Sequence, residues 1–326
     1  MVEDRDLNEH PLRIEEFDAA AAIIAGSLAP TAEICWPLLG ERAGCEVWVK
    51  HENHLPTGAF KVRGGVWFVH LLMQSAPPAG IIAATRGNHG QSIAFACRSH
   101  SLPCVIVVPE GNNPEKNRAM EALGAELIVS GRDFDQALDT ARTIADGRGL
   151  LAMPSYHWRL VQGVGTYAME FFRNTPPLDA VYVPIGLGSG LSGVIAARNA
   201  LGLHCEVIGV VASGADAYAL SFERGQAVPT DCANTMADGM AVRVPSEEAL
   251  AFMLPNVARV VRVNEDEILD AIRFYYTDTH NLAEGAGAAP LAALIKERER
   301  HRGRRVGLIL SGANLDVGSL RRVFES

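Results

Sequence analysis

Short runs of apolar residues, each closed by a turn rich in Gly, Asn or Ser and followed by a helical pattern, recur along this 326-residue chain. Residues 80–85, 103–109, 125–130, 179–184, 206–212, 260–263 and 305–310 read as strands. Residues 65–74, 88–100, 114–124, 134–146, 160–173, 190–201, 215–224, 266–277 and 288–301 carry helical spacing between them. A strand that is apolar on both faces has no solvent side, so the alternation predicts parallel sheets covered by helices on both faces. Upstream, residues 13–27 read as an alanine-rich helix, and an extended connector through Pro30 and Pro37 leads to a strand at 45–50. Residues 225–258, interrupted by Pro229, Pro245 and Pro255, are expected to be irregular, and a last helix follows Asp316. The simplest organisation is two α/β lobes, a small one at 57–149 inserted into a large one made of 1–56 and 150–326.

A hydrophobic fraction of 48% supports a sizeable core, and a net charge of -9 without a long basic block argues against nucleic acid or an anionic membrane as partner. The six cysteines form no C-x-x-C pair and several sit inside apolar runs, which suits reduced, buried thiols in a cytoplasmic protein. The start, Met1 to Asp6, is acidic and lacks an apolar leader, and no run of about 20 apolar residues follows.

Four loops carry chemistry. Lys61, in Gly58-Ala59-Phe60-Lys61-Val62-Arg63-Gly64, stands where a strand hands over to a helix, the place where open α/β sheets put their sites. The usual fate of a turn lysine is a solvated charge, but its apolar neighbours favour a desolvated amine able to form a Schiff base. Thr85-Arg86-Gly87-Asn88-His89 opens a helix whose N–H groups suit a carboxylate, although a plain capped turn has the same outline, and His89 is assigned no catalysis. Gly186-Leu187-Gly188-Ser189-Gly190 suits a phosphate at a helix N-terminus. A dinucleotide site uses the same physics but wants a carboxylate at the next strand end, where Val210-Val211-Ala212 stands. Ser311, in Ser311-Gly312-Ala313-Asn314, can hydrogen-bond a neutral ring nitrogen, and Asn314 can brace the loop. An aldehyde for Lys61, a phosphate, a ring nitrogen and a carboxylated substrate together describe pyridoxal phosphate with an amino acid.

With these motifs in this order, and with Gln162-Gly163-Val164-Gly165-Thr166, Ala237-Asp238-Gly239-Met240-Ala241-Val242 and Glu284-Gly285-Ala286-Gly287, the chain resembles the fold-type II pyridoxal-phosphate enzymes over nearly its whole length. Within them it is similar to the threonine/serine dehydratase and serine racemase branch. The resemblance implies a two-lobed, three-layer parallel-sheet α/β fold of the tryptophan-synthase-β type. It implies Lys61 as Schiff-base lysine and α-proton base, Asn88 on the ring hydroxyl, Gly186 to Gly190 on the phosphate and Ser311 on the pyridine nitrogen. Phe60, Leu187 and Glu284 join the cofactor-binding set, and Thr85, Arg86, Gly87, Asn88 and His89 the substrate-binding set. A neutral serine leaves the pyridine unprotonated, a weaker electron sink that favours β-elimination.

Three departures shape the expected activity. Ala59 and Arg86 stand where serine or a small residue is usual, and a guanidinium is a poor second-face acid for racemisation, so Arg86 is read as a recognition group for a polar or acidic side chain. Val211 and Ala212 replace a cation-binding glutamate, Asp216 alone is a poor cage, and no metal is expected. No regulatory domain is expected after the Ser311 loop. The reading is an ammonia-lyase (dehydratase) that converts a 3-hydroxy amino acid, such as threonine, serine, 3-hydroxyaspartate, phenylserine or one derived from hydroxyectoine, to a 2-oxo acid and ammonia. A racemase or β-replacement synthase of the same fold, a non-catalytic pyridoxal-phosphate-binding protein and a nicotinamide oxidoreductase are the alternatives. A homodimer is the family expectation.

Overall fold

A computed structural model describes residues 5–325; the acidic start at Met1–Asp4 lies outside the described residues. The chain opens with α1 (Ile14–Ile24), β1 (Glu33–Cys35), α2 (Pro37–Ala43), β2 (Glu46–His51) and α3 (Lys61–Ser75). There follow β3 (Ile81–Ala84), α4 (Asn88–Ser99), β4 (Cys104–Val108), α5 (Pro114–Ala122), β5 (Glu126–Val129), α6 (Phe134–Arg148) and β6 (Leu151–Ala152). Next are α7 (Trp158–Asn174), β7 (Ala180–Pro184), α8 (Ser189–Ala200), β8 (Glu206–Ala212), α9 (Ala217–Arg224) and α10 (Glu247–Met253). The described chain closes with β9 (Arg259–Val263), α11 (Glu265–Thr279), α12 (Gly285–Lys296), β10 (Arg305–Leu310) and α13 (Val317–Glu325).

A six-stranded sheet has the order β1-β2-β10-β7-β8-β9, and a four-stranded sheet the order β5-β4-β3-β6. Every pairing is parallel except the β1–β2 edge. The small sheet falls, in the chain, between β2 and β7 of the large one, and β6 carries it past the boundary expected at 149. Each sheet separates two cores by strand alternation: Ala180 and Tyr182 pack on one side of the large sheet with α11 and α12, and Val181 and Val183 on the other with α7 and α8. The small sheet likewise divides a core under α3 and α4 from one under α6.

Two expectations about local structure need correcting. The connector at 28–44 contains β1 and α2, because Pro37 occupies the first helical position, where its missing N–H loses nothing, and Gly44 (φ +70°) ends the turn. The 225–258 stretch contains α10, whose first turn is capped by Ser246, its hydroxyl accepting from Ala249 N at 3.2 Å. Helix α3 also begins earlier than the pattern suggested, at Lys61 itself.

The Gln162-Gly163-Val164-Gly165-Thr166 motif lies on α7, where its glycines admit neighbours on two faces. A Cβ on Gly163 would meet Trp67 Cβ at 2.8 Å and Arg63 O at 2.9 Å on α3, while one on Gly165 would stand 3.2 Å from Gly193 O on α8. Helix α7 thus sets the spacing of the helix that begins with Lys61 and the helix that follows the Gly-rich loop. Gly163→Ala is expected to cost about 1–3 kcal/mol, because α3 backbone must shift to admit the methyl, and urea unfolding measures it.

Candidate active site

The two sheets turn the carboxyl ends of their strands toward one cavity of about 400 Å³. Because β2 and β10 are parallel neighbours, the loops that leave them meet at that end. Ala59 bridges Gly312, Phe60 N donates to Ser311 O at 3.1 Å, Ala313 N donates to Gly58 O at 2.9 Å and Asn314 Nδ2 donates to Thr57 O at 2.8 Å. Gly58 has φ +66°, and a Cβ there would stand 2.6 Å from Asn314 Oδ1, so this seam requires glycine. It ties Ser311 to the backbone that carries Lys61.

Lys61 is half-buried and lines the cavity, its Nζ 5.2 Å from the centroid of the Phe60 ring. Loss of water pulls the amine down to about 8, against a smaller upward pull from the charge of Glu284. Glu284 is buried, and burial raises its carboxyl above the usual range. Its Oε1 accepts from Asn88 Nδ2 at 2.8 Å, and Asn314 Nδ2 donates to Asn88 Oδ1 at 2.7 Å. These partners fix which end of the Asn88 amide is the donor and leave its second N–H for a ligand.

The substrate loop differs in detail from expectation. Gly87 N is occupied by the Thr85 hydroxyl at 3.1 Å, whereas the N–H groups of Asn88 and His89, at the uncapped start of α4, have no acceptor among the described residues. His89 lines the cavity with its Nε2 buried and unpartnered, and burial, with the Lys61 charge second, lowers it to about 3. The imidazole is therefore neutral at physiological pH.

Helix α8 starts at Gly188 (φ +110°) without a side-chain cap, and the N–H groups of Gly188, Ser189 and Gly190 find no acceptor among the described residues. A Cβ on Gly186 would stand 2.4 Å from Gly239 O, and one on Gly190 would stand 3.2 Å from the Phe60 ring. Leu187 reaches the cavity wall; its carbonyl accepts from Tyr218 Oη at 3.0 Å. Phe60, Ser311 and the glycines of this loop do not line the cavity wall; the backbone contacts above place them beside it. An amine out of water, unsatisfied N–H groups at a helix start, the Asn88 donor and the neutral Ser311 hydroxyl fit pyridoxal phosphate.

Residues that the sequence reading missed complete the mouth. Lys116 Nζ bonds Asp238 Oδ2 at 2.6 Å, and Arg243 bonds Asp135 Oδ2 at 2.7 Å; Asp133 and Phe134 also line the cavity. Both pairs join α5 or α6 of the small-sheet side to the 238–243 stretch. Lys116 follows the carboxyl end of β4, which was the available signal. The Arg86 guanidinium is exposed in the cavity and has no hydrogen bond or ion pair among the described residues. Asp216, outside the cavity wall, is engaged by Arg262 Nε at 2.8 Å.

A family model described as "Pyridoxal-phosphate dependent enzyme" matches residues 24–312, and the chain belongs to that family. Among its relatives, the L-threonine ammonia-lyase of Thermotoga maritima is 32% identical over 96% of this chain and 78% of its own length. The L-threo-3-hydroxyaspartate ammonia-lyase of a Pseudomonas species is 33% identical over 86% of this chain and 88% of its own. The structure of maize serine racemase superposes with a TM-score of 0.90 at 25% identity, over 96% of this chain and 97% of that one. The chain has the mixed α/β architecture of the fold-type II enzymes and depends on pyridoxal phosphate.

The Lys61 pKa gives the next expectation. Below about pH 8 the folded amine carries a charge that its surroundings disfavour, and above the unfolded value of about 10.4 that penalty is gone, so stability of the cofactor-free chain rises between these limits. Lys61→Met is expected to stabilise the cofactor-free chain at pH 7 by about 3 kcal/mol, read from denaturant titration. Borohydride trapping of pyridoxal phosphate on Lys61 should gain rate with pH around a midpoint near 8; a midpoint near that of free lysine contradicts the desolvated amine.

Proposed function

We propose that this chain is an ammonia-lyase that eliminates the 3-hydroxyl and the amine of a hydroxy amino acid, giving a 2-oxo acid and ammonia. The observation that carries the reading is the Lys61 amine, lowered to about 8 on the wall of a cavity whose other side is the Thr85–His89 loop. When bound, pyridoxal phosphate supplies an aldehyde and a conjugated ring that takes up the charge left on the α-carbon. The N–H groups at the start of α8 hold its phosphate, and Asn88, oriented by Glu284 and Asn314, donates to its ring hydroxyl. Ser311 offers a hydroxyl and no charge to the ring nitrogen. The free N–H groups of Asn88 and His89 receive the substrate carboxylate, and neutral Lys61 takes the α-proton.

Lyase activity is supported by relatives named as threonine and hydroxyaspartate ammonia-lyases. Arg86, unpaired in a cavity whose other mouth cations have carboxylate partners, is the group we assign to an acidic or polar substrate side chain. Residues 57–149, extended by β6, act as an inserted lobe, and the protein works in the cytoplasm as a homodimer, for which six free cysteines and the family likeness are the support. Racemisation is the second reading, since maize serine racemase has the same fold.

Lys61→Ala should abolish keto-acid release from every 3-hydroxy amino acid tested, and a D-amino acid product from the unaltered protein would favour racemisation. Arg86→Ala should lower the kcat/KM ratio of 3-hydroxyaspartate over threonine by about 10- to 100-fold, as expected for losing a hydrogen-bonded charge. An unchanged ratio removes Arg86 from recognition and leaves the lyase reading intact.

A further inference from the structure

Directly behind the first turn of α3 lies a cluster of charged side chains that the reaction does not use. Arg63 is 1% exposed, Glu52 and Lys50 are 0% exposed, and Glu33 and Glu170 complete the group. Every N–H of the Arg63 guanidinium has an acceptor. Nε and one terminal nitrogen clasp Glu52 at 2.8 and 2.9 Å; the terminal nitrogens also reach Glu170 at 2.6 and 2.9 Å, and Thr166 at 3.3 Å. Lys50 closes the ring, donating to Glu33, Glu170 and the Thr31 carbonyl, while the Thr31 hydroxyl donates to Glu52 at 2.6 Å. Burial lowers a guanidinium pKa, yet Glu52 and Glu170 raise that of Arg63 above its ordinary value.

Such a cluster is poor evidence for stability, because desolvating several ions costs about what their pairing returns. Its value lies in geometry. Arg63 stands two residues after Lys61 at the start of α3, which has no side-chain cap. Glu52 follows β2, Thr31 precedes β1, and Glu170 and Thr166 lie on α7. The fork therefore fastens the lysine-bearing turn to the large sheet and to α7 at once, with directions that a single ammonium cannot reproduce.

We propose that Arg63 is a positioning residue that holds Lys61 at the wall of the cavity through its forked bonds to Glu52 and Glu170. The inference rests on Lys61 being the amine that captures pyridoxal phosphate. Its test is Arg63→Lys, which keeps the charge and loses the fork, with Glu170→Gln as the milder variant and Arg259→Lys as a control. Arg259 sits in a separate network with Glu206, Glu297 and Tyr182, so its loss reports destabilisation alone.

Two quantities are measured: the pH midpoint for borohydride trapping of pyridoxal phosphate on each cofactor-free variant, and kcat and KM of each holoenzyme. In Arg63→Lys the midpoint should rise from about 8 toward the free-lysine value, with kcat down by roughly 100-fold and KM little changed. Glu170→Gln should shift both in the same direction by less, and carries the comparison alone if Arg63→Lys does not fold. Arg259→Lys should leave the midpoint in place. An unmoved midpoint and kcat in the folded Arg63 or Glu170 variant, or an equal shift in Arg259→Lys, overturns the proposal. Failure of the unaltered chain to trap pyridoxal phosphate on Lys61 overturns the functional reading beneath it and the proposal with it.

Discussion

An ammonium resists leaving water, and the site is arranged around one that has largely done so. Holding Lys61 near 8 costs the cofactor-free chain on the order of 3 kcal/mol at neutral pH, a sizeable share of the stability of an ordinary domain. The seam between Gly58–Ala59 and Gly312–Ala313 satisfies backbone groups on both loops, and the α7 glycines let α3 and α8 approach without displacing backbone. A lysine at an exposed turn keeps a pKa of about 10.4; partial removal of water brings this one down to about 8, nearer neutral pH.

Glu284 and His89 show the same logic with opposite outcomes. The carboxyl of Glu284 is pushed up by burial, and its Oε1 accepts from the Asn88 amide. His89 is pushed down to about 3, so the residue most often suspected of acid–base work in such a loop is a neutral group with a free Nε2. Neither role could be read from residue type, since both follow from which atoms surround the side chain.

Much of the architecture was legible because the apolar runs of β3, β4, β7, β8 and β10 have no solvent face and each is followed by a loop with a distinctive composition. The loops around Lys61, Asn88, Gly188 and Ser311 stood out as candidates because strand ends of parallel sheets are where sites form, and Lys61 and Asn88 line the cavity. What escaped was of two kinds. Short elements such as α2, α10 and β6 are held by tertiary contacts and single caps, not by periodicity, and α2 hid behind a proline that usually signals an interruption. Long-range side-chain partnerships escaped altogether: nothing local to Lys116 reveals Asp238, and nothing local to Arg63 reveals Glu170. The occupied Gly87 N–H is a smaller case, since Thr85 can fill it or leave it open without any change in sequence.

The two groups of ion pairs around the site differ in strength for a physical reason. Lys116–Asp238, with its carboxylate well exposed, and Arg243–Asp135, exposed on both sides, cross the mouth, so salt screens them and each contributes about 0–1 kcal/mol. In the Arg63 cluster Arg63, Glu52 and Lys50 are fully buried and only Glu33 and Glu170 keep some exposure, so salt screens it less, and removing one partner would strand a buried charge at a cost of about 3–5 kcal/mol. The attachment of the small-sheet segment to the large sheet is therefore asymmetric: buried forked bonds hold it where α3 begins, and two exposed pairs hold it at the cavity mouth.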